Sequence, residues 1–205
     1  MQIVKIPCGP ISANSYLVWG DGQRQCAVMD PADADLIGRA LEERGLTCTH
    51  ILLTHGHFDH IWGLAGLQEK TGAAVLIHQE DAVMLRNNKR NYSALYGGLP
   101  HVEPARLLSD GDVVEAGGLT FDVIHTPGHT LGGVCYAVCG EKAVFTGDTL
   151  FHLSVGRTDF WGGSAATLLT SIQRLMQLPD DVTVYPGHEE NTTIGCERAG
   201  NPFLS

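Results

Sequence analysis

The sequence predicts an α/β fold in which helices cover mixed sheets. Two observations support this class. Strand-type runs alternate with helix-type periodicity both before residue 87 and after residue 163. Between residues 112 and 146 the chain is instead a series of strand-type runs joined by glycine turns, which is typical of antiparallel hairpins. A purely parallel doubly wound sheet would need a helix after each strand, so this order favours layers with mixed sheets.

The first half of the chain begins with strands and then alternates with helices. Leu36, Ile37 and Leu41 have the spacing of an amphipathic helix, and Gly45 is suited to end it. The predicted elements are strands at Gln2–Ile6, Ser15–Trp19 and Gln25–Met29, a helix at Asp33–Arg44, a strand at Thr49–Leu53, a helix at Ile61–Lys70, a strand at Ala74–Ile77 and a short helix at Gln79–Arg86.

A polar stretch at Asn87–Pro104 is interpreted as a long loop, and the second half follows it. Loops of this length in compact domains are often functional. Its basic and aromatic residues could cover a site and attract a carboxylate, or the loop could be a solvated connector; they are Lys89, Arg90, Tyr92 and Tyr96. The later predicted elements are strands at Asp112–Glu115, Thr120–Ile124, Val134–Val138 and Ala143–Thr146, a helix at Ser164–Leu178 opened by Ser164, a strand at Val182–Tyr185 and a helix at Thr192–Ala199.

Length and composition restrict the class of protein. The 205 residues suit one domain over 1–205, and 43% hydrophobic with 18% charged residues is typical of a folded chain. A net charge of −10 argues against nucleic acid as the main partner. No apolar run approaches the ~18 residues of a membrane span, so no membrane partner is expected. The start of the chain has no secretory pattern, and the six cysteines have no CxxC spacing, so a cytoplasmic location is expected.

The segment from His55 to His60 is the densest group of potential metal ligands. His55, His57, Asp59 and His60 follow a predicted strand, and imidazole with carboxylate suits zinc, iron or manganese. Since side chains alternate along extended chain, His55 and His57 can point to the same side, while Asp59 and His60 could reach a second ion. The alternative is that Asp59 caps a helix beginning at His60.

Three further predicted strands end in a ligand-type residue preceded by glycine. These residues are His129 in Pro127-Gly128-His129, Asp148 in Thr146-Gly147-Asp148 and His188 in Pro186-Gly187-His188. The glycine permits a tight bend at each point. Each motif alone could be an ordinary turn, but the three together with the His55–His60 segment indicate a metal site.

These motifs resemble the metallo-β-lactamase fold, and within it the glyoxalase II (hydroxyacylglutathione hydrolase) group. The resemblance also includes Phe145–Phe151, Gly156–Phe160 and Thr192–Gly195, and covers nearly the whole chain. It implies a four-layer αββα sandwich with the site at one edge of the two sheets.

The same resemblance implies a ligand set for two divalent metal ions, with zinc expected and iron or manganese as alternatives. His55, His57 and His129 would hold the first ion; Asp59, His60 and His188 would hold the second; and Asp148 would bridge them. Asp59 and Asp148 are the expected catalytic residues, because they would also orient a metal-bridging hydroxide. Asp30 and Thr54 are expected to hold the imidazoles, and Arg157 with Asp159 to form a structural ion pair behind the site.

The reaction implied is hydrolysis of a small-molecule thioester of the S-2-hydroxyacylglutathione type, such as S-D-lactoylglutathione. A persulfide dioxygenase is the alternative. Such enzymes resemble this chain in length, in Gly156–Phe160 and in the closing pattern TxxxExxxNP, which ends at Asn201-Pro202. One iron would then be held by His55, His129 and Asp148. Gly187-His188-Glu189 followed by Thr-Thr-Ile-Gly favours hydrolysis. Cleavage of a lactone or another ester is a further hydrolytic alternative. A metal-bound module without turnover is disfavoured by the complete ligand set.

Overall fold

Two six-stranded sheets form the centre of the molecule. The computed structural model describes residues 1–204; Ser205, the last residue of the predicted domain, lies outside the described residues. The first sheet has the same order in space as in sequence: β1 (Gln2–Cys8), β2 (Ala13–Trp19), β3 (Gln25–Met29), β4 (Thr47–Leu52), β5 (Ala74–His78) and β6 (Arg106–Leu108). β1, β2 and β3 pair antiparallel, whereas β3 to β6 pair parallel, so this sheet is mixed as predicted.

The second sheet is also mixed. The remaining strands are β7 (Val113–Ala116), β8 (Leu119–His125), β9 (Val134–Val138), β10 (Ala143–Gly147), β11 (Leu150–Phe151), β12 (Ser154–Val155), β13 (Thr183–Pro186) and β14 (Thr192–Thr193). The sheet order is β14-β13-β10-β9-β8-β7, and β11 pairs with β12 in a separate ribbon. Only β10 and β13 pair parallel in this sheet of the described chain.

Helices cover the outer face of each sheet. Within residues 1–204 the α-helices are α1 (Ala34–Arg44), α2 (Leu64–Thr71), α3 (Ala165–Leu175) and α4 (Ile194–Gly200), with 3₁₀ turns at Ala82–Arg86 and Ser93–Tyr96. One apolar core lies between α1, α2 and the first sheet, a second lies between the sheets, and a third lies between the second sheet and α3 and α4. Three cores separate four layers, which confirms the αββα sandwich.

The alternation of side chains along each strand produces these separate cores. Leu17 packs toward the helices while its neighbour Val18 packs between the sheets. In the second sheet, Val144 faces the helices and Phe145 faces the other sheet. Where both faces of a strand are covered, the side chains on both faces are apolar, which explains the continuous hydrophobic runs in the sequence.

Several element boundaries differ from the prediction. α2 begins at Leu64 instead of Ile61, because residues 58–63 form successive turns that place Asp59 and His60 in the site. The predicted helix Gln79–Arg86 is a 3₁₀ turn from Ala82, and the predicted loop Asn87–Pro104 contains a second one. In residues 1–204, no helix has the length and apolar character needed to cross a membrane.

Candidate metal centre

All seven predicted ligand residues lie together, just beyond the ends of four strands. The His55–His60 segment follows β4, His129 follows β8, Asp148 follows β10 and His188 follows β13. The segment's four potential ligands and His129 are each at most 5% exposed. Two packed sheets therefore bring residues from distant parts of the chain to one edge, as the sequence predicted.

One group consists of three imidazoles. His55, His57 and His129 each offer one ligand atom, and these atoms lie within 4.8 Å of one another. His57 Nδ1 lies 2.8 Å from His129 Nε2. His55 Nε2 is buried and has no hydrogen-bond partner among the described residues. Leaving such an atom unsatisfied costs on the order of 1–3 kcal/mol, so this group fits a cation better than an ordinary polar core.

A second group consists of Asp59, His60 and His188. His188 Nε2 lies 3.2 Å from Asp59 Oδ2 and 3.3 Å from His60 Nε2, and the third side of this triangle, from His60 Nε2 to Asp59 Oδ2, is 3.4 Å. Ligands about 2.1 Å from a tetrahedral zinc ion are separated by about 3.4 Å. The spacing of the triangle therefore suits one shared ion. Asp59 makes these contacts instead of capping a helix.

The Asp148 carboxylate lies between the two groups. Its Oδ1 is 3.3 Å from His60 Nε2, and its Oδ2 is 3.5 Å from His129 Nε2 and 3.7 Å from His188 Nε2. Oδ1 is buried without a hydrogen-bond partner in the described part of the chain. A carboxylate in this position can contact an ion in either group.

Hydrogen bonds to the outer ring nitrogens fix the orientation of two imidazoles, those of His60 and His129. His60 Nδ1 is 3.0 Å from Asp30 Oδ2, and His129 Nδ1 is 2.7 Å from the carbonyl oxygen of Arg157. These acceptors hold the proton on Nδ1 and leave Nε2 of each ring with a lone pair for a metal.

Asp30 and Thr54 occupy the supporting positions that the sequence predicted. Asp30 accepts hydrogen bonds from the Thr54 amide at 2.8 Å and from the Thr54 hydroxyl at 2.6 Å. Thr54 Oγ1 in turn lies 3.1 Å from His55 Nδ1. Since the hydroxyl donates to Asp30, it accepts from His55, which leaves Nε2 of His55 free. Asp30 therefore orients His60 directly and His55 through Thr54.

Asp81 supports the same centre, although the sequence did not single it out. Its buried carboxylate accepts hydrogen bonds from Thr130 Oγ1 at 2.7 Å, from the Gly132 amide at 2.7 Å and from the Gly56 amide at 3.2 Å. Burial raises the pKa of Asp81 above its ordinary value. The residue joins the loop that carries His55 and His57 to the loop that carries His129.

The glycines before the ligands act in two different ways. Gly147 has φ +48°, so the bend before Asp148 uses the left-handed conformation, as expected. Gly187 instead provides space. A Cβ at Gly187 would lie 2.2 Å from Asp148 Oδ1 and 2.7 Å from His60 Cε1. The close approach of the β13 end to Asp148 and His60 therefore requires a residue without a side chain.

In the metal-free centre, the histidines of the two ligand groups differ in their pKa values. Burial lowers the pKa of His57 to about 3 and holds the pKa of His55 well below its ordinary value. Burial also opposes the charged form of His60, but the carboxylates of Asp148 and Asp59 outweigh it and raise the pKa of His60 well above 6.5. The positive charge on His60 then balances the carboxylates, a role that a metal ion can take over.

A cleft of about 560 Å³ opens onto the centre. Its walls combine metal-type ligands with apolar side chains, including Ile11, Tyr92, Phe151 and Phe160. The Tyr92 hydroxyl accepts a hydrogen bond from the Trp161 amide at 2.7 Å, and Arg90 lies 4.3 Å from the centre of the Trp161 ring. The predicted loop at 87–104 thus forms part of the cleft wall.

Arg157 is placed differently from the expectation. Its guanidinium donates two hydrogen bonds of 2.7 Å to the Asp159 carboxylate, which confirms the ion pair. The pair is exposed, however, and Arg157 lines the cleft instead of lying behind the site. The reason is that the Arg157 carbonyl faces His129, which turns the side chain outward along Phe160, at 4.2 Å from the ring centre.

Comparison with protein families decides the classification. The family model described as the metallo-beta-lactamase superfamily matches residues 8–188, which include every predicted ligand. The chain belongs to this superfamily.

Relatives within the superfamily carry different functional names. The chain is 35% identical over 211 residues to "Hydroxyacylglutathione hydrolase GloC" of Haemophilus influenzae, covering 100% of this chain and 99% of that protein. Among solved structures, BLEG-1, described as a B3 metallo-beta-lactamase, is 37% identical with TM-score 0.91 and full coverage of both chains.

Two other solved structures are also similar to this chain. TTHA1623, solved in a di-iron-bound form, is 36% identical with TM-score 0.86, covering 98% of this chain and 100% of its own. ETHE1 from Myxococcus xanthus is 33% identical with TM-score 0.80, covering 98% of this chain and 84% of its own. The fold is thus shared with these solved structures, this chain adds His/Asp clusters suited to binding metal, and the names of the relatives differ in the chemistry they imply.

Proposed function

We propose that this protein is a two-metal hydrolase of thioesters of the S-2-hydroxyacylglutathione type, such as S-D-lactoylglutathione. The observation that carries the proposal is the Asp148 carboxylate, which lies within 3.7 Å of nitrogen atoms from both ligand groups. If the site held only one ion, bound by the three imidazoles, the ligand-type atoms of Asp59, His60 and His188 would bind no metal. The similarity to GloC over the whole chain supports thioester hydrolysis in particular.

The proposed ligands divide between the ions as the resemblance implies. His55, His57 and His129 would hold one ion, Asp59, His60 and His188 the other, and Asp148 both; zinc is expected, and iron is the main alternative. Ions bound there would act as Lewis acids. They would also lower the pKa of a bound water enough for it to lose a proton and act as a nucleophile near neutral pH.

The protein's own residues would position the reactants. The carboxylates of Asp59 and Asp148 can accept hydrogen bonds from the attacking water and orient it toward the thioester carbonyl carbon. Attack breaks the carbon–sulfur bond, and the products are a carboxylic acid and a thiol. No side-chain nucleophile is needed.

The cleft would hold the rest of the substrate. Tyr92 and Phe160 have ring centres 4.7 Å apart, and Phe160 lies 5.1 Å from His57. This aromatic wall borders the first ligand group and can contact the acyl or thiol portion while excluding bulk water. Exclusion of water strengthens the electrostatic interactions that stabilise the developing oxyanion.

Persulfide oxidation at one iron is the second candidate. His129 Nε2 lies 3.5 Å from Asp148 Oδ2, and the His55 and His129 ring centres are 4.9 Å apart, so these three residues could hold one ion by themselves. TTHA1623, solved in a di-iron-bound form, supports iron as the metal, although with two ions instead of one.

One preparation tested in parallel assays separates the candidates. Metal content is measured together with S-D-lactoylglutathione hydrolysis and with oxygen uptake on glutathione persulfide. We expect at least two metal ions per chain and thioester cleavage. One iron per chain with oxygen uptake would overturn the proposal. A β-lactam and a lactone serve as further substrates, and preferential cleavage of either would refute the thioester assignment.

A further inference from the structure

A second cluster of ligand-type side chains lies outside the proposed metal centre. His152, Cys196 and Glu197 each offer one ligand atom, and these atoms lie within 4.8 Å of one another. None of the three belongs to the ligand set of the proposed hydrolase. The cluster joins the turn between β11 and β12, where His152 lies, to the first turn of α4.

Contacts that do not involve the cluster's free ligand atoms already hold these two segments together. The Leu153 amide donates to Glu197 Oε2 at 2.9 Å, and Asn201 Nδ2 donates to the Ser154 carbonyl at 3.1 Å. Leu153 has φ +52°, a conformation that bulky residues rarely adopt. The turn is thus held in a fixed position against α4, so the ordering cost of binding an ion there is small.

The two polar ligand candidates are oriented as metal ligands usually are. His152 Nδ1 lies 2.9 Å from Glu190 Oε1, which favours a proton on Nδ1 and leaves Nε2 with the lone pair. Glu197 is fully buried, and it accepts hydrogen bonds from Thr192 Oγ1 at 2.6 Å and Asn201 Nδ2 at 2.8 Å. Together with the Leu153 amide, these occupy three of the roughly four lone-pair positions of the carboxylate, and one on Oε1 is left.

We propose that His152, Cys196 and Glu197 form an additional zinc site that fastens the β11–β12 turn to α4. A thiolate, an imidazole and a carboxylate match the ligand preferences of zinc, and the exposed positions of Cys196 and of part of His152 leave room for a water as fourth ligand. Phe151, next to His152, lines the cleft and has its ring centre 6.1 Å from that of His188. The site therefore stabilises one wall of the cleft from outside.

Cobalt(II) loading tests the site without reference to activity. The proposed hydrolase ligands include no sulfur, so a thiolate-to-cobalt charge-transfer band in the near ultraviolet reports only a cysteine ligand. Metal-free protein loaded with cobalt(II) should give this band, and Cys196→Ser should abolish it. Cys139→Ser is the matched control, because Cys139 is also exposed, and it should keep the band.

Zinc stoichiometry and a second variant complete the test. After zinc loading, the wild-type protein should bind one ion more per chain than Cys196→Ser. His152→Ala keeps the thiol, and the cobalt affinity measured by titrating the band should fall at least about 10-fold. His101→Ala, at an exposed position, should leave this affinity unchanged. Circular dichroism verifies that each variant is folded. A wild-type protein without the band, or a band that survives in Cys196→Ser or is unchanged in His152→Ala, would overturn the proposal, even if thioester hydrolysis were confirmed.

Discussion

Asp81 Oδ2 accepts a hydrogen bond of 2.7 Å from Thr130 Oγ1 while also accepting one from the Gly56 amide. One carboxylate oxygen thereby joins the loop between His55 and His57 to the residue after His129. The geometry of the three-imidazole group thus depends on a residue that binds no metal itself.

Removing the Asp81 carboxylate should therefore affect both stability and metal affinity. Asp81→Ala leaves buried donors without an acceptor, and we expect the free energy of unfolding to fall by about 2–4 kcal/mol in denaturant titrations. Asp81→Asn keeps one acceptor oxygen; we expect it to fold and to lose about 10-fold in zinc affinity. Glu80→Gln, at the exposed neighbouring position, is the control. Wild-type zinc affinity in Asp81→Asn would show that Asp81 does not position the imidazoles.

The proposed first ion depends on His57. His57→Ala should lower metal content and reduce thioester hydrolysis by more than about 100-fold, the upper limit of typical effects from residues that only support ligands. Because an alanine fits the space, we expect circular dichroism to show an intact fold. His101→Ala, an exposed histidine, should behave as the wild type. A fully active, metal-replete His57→Ala protein would refute the ligand assignment.

Gly187 tests how closely the end of β13 must approach Asp148. Gly187→Ala would place a methyl group 2.2 Å from Asp148 Oδ1, so the carboxylate or the β13 end must shift. We expect hydrolysis to fall at least about 100-fold, since displacements near 1 Å have costs of this size. Gly38→Ala is the matched control, because its Cβ would be no closer than 3.9 Å to any neighbouring atom and alanine favours the helix. Unchanged activity in Gly187→Ala would contradict the role given to Asp148.

The two ligand groups should differ in their response to pH. Metal binding requires neutral imidazoles. The pKa of His57 is about 3 and that of His55 is also strongly lowered, so binding at their group should release no proton from either near neutral pH. The pKa of His60 is raised, so the metal-free protein holds a proton there that binding must displace. Affinity at the second group should then rise with pH, by about 10-fold per pH unit below the pKa of His60.

Calorimetry in two buffers of different ionisation enthalpy measures this release. The apparent enthalpy of zinc binding should depend more strongly on the buffer at the second group, where His60 releases a proton, than at the three-imidazole group, where His55 and His57 release none. Identical enthalpies in both buffers for both binding steps would contradict the charge distribution described for the metal-free centre.

The ligands could be predicted because their signals are local. Each follows a strand, and strand ends at one sheet edge lie close together in layered α/β folds. Asp30 was also predictable, because it ends a strand just as the ligands do. Asp81 was not, since its partners lie 25 to 51 residues away in the sequence and its own segment reads as a short helix.

The other differences from the prediction also have specific structural causes. β11, β12 and β14 are two residues long, too short for an alternating pattern to be recognised. Gly63, the residue before α2, packs so closely on the start of α1 that a Cβ would lie 2.4 Å from the Ala34 nitrogen, a contact that the local sequence pattern does not show. Arg157 pairs with Asp159 as its sequence neighbourhood suggested, but its position on the cleft depends on the carbonyl contact with His129.

The most direct test of the two-ion thioester hydrolase is the rate of S-D-lactoylglutathione hydrolysis while metal-free protein is titrated with zinc. We expect no hydrolysis without metal and a rate that continues to rise beyond one equivalent per chain, because both ligand groups and the Asp148 carboxylate between them take part. A rate that is already maximal at one equivalent, or no hydrolysis at any zinc content, would contradict the account.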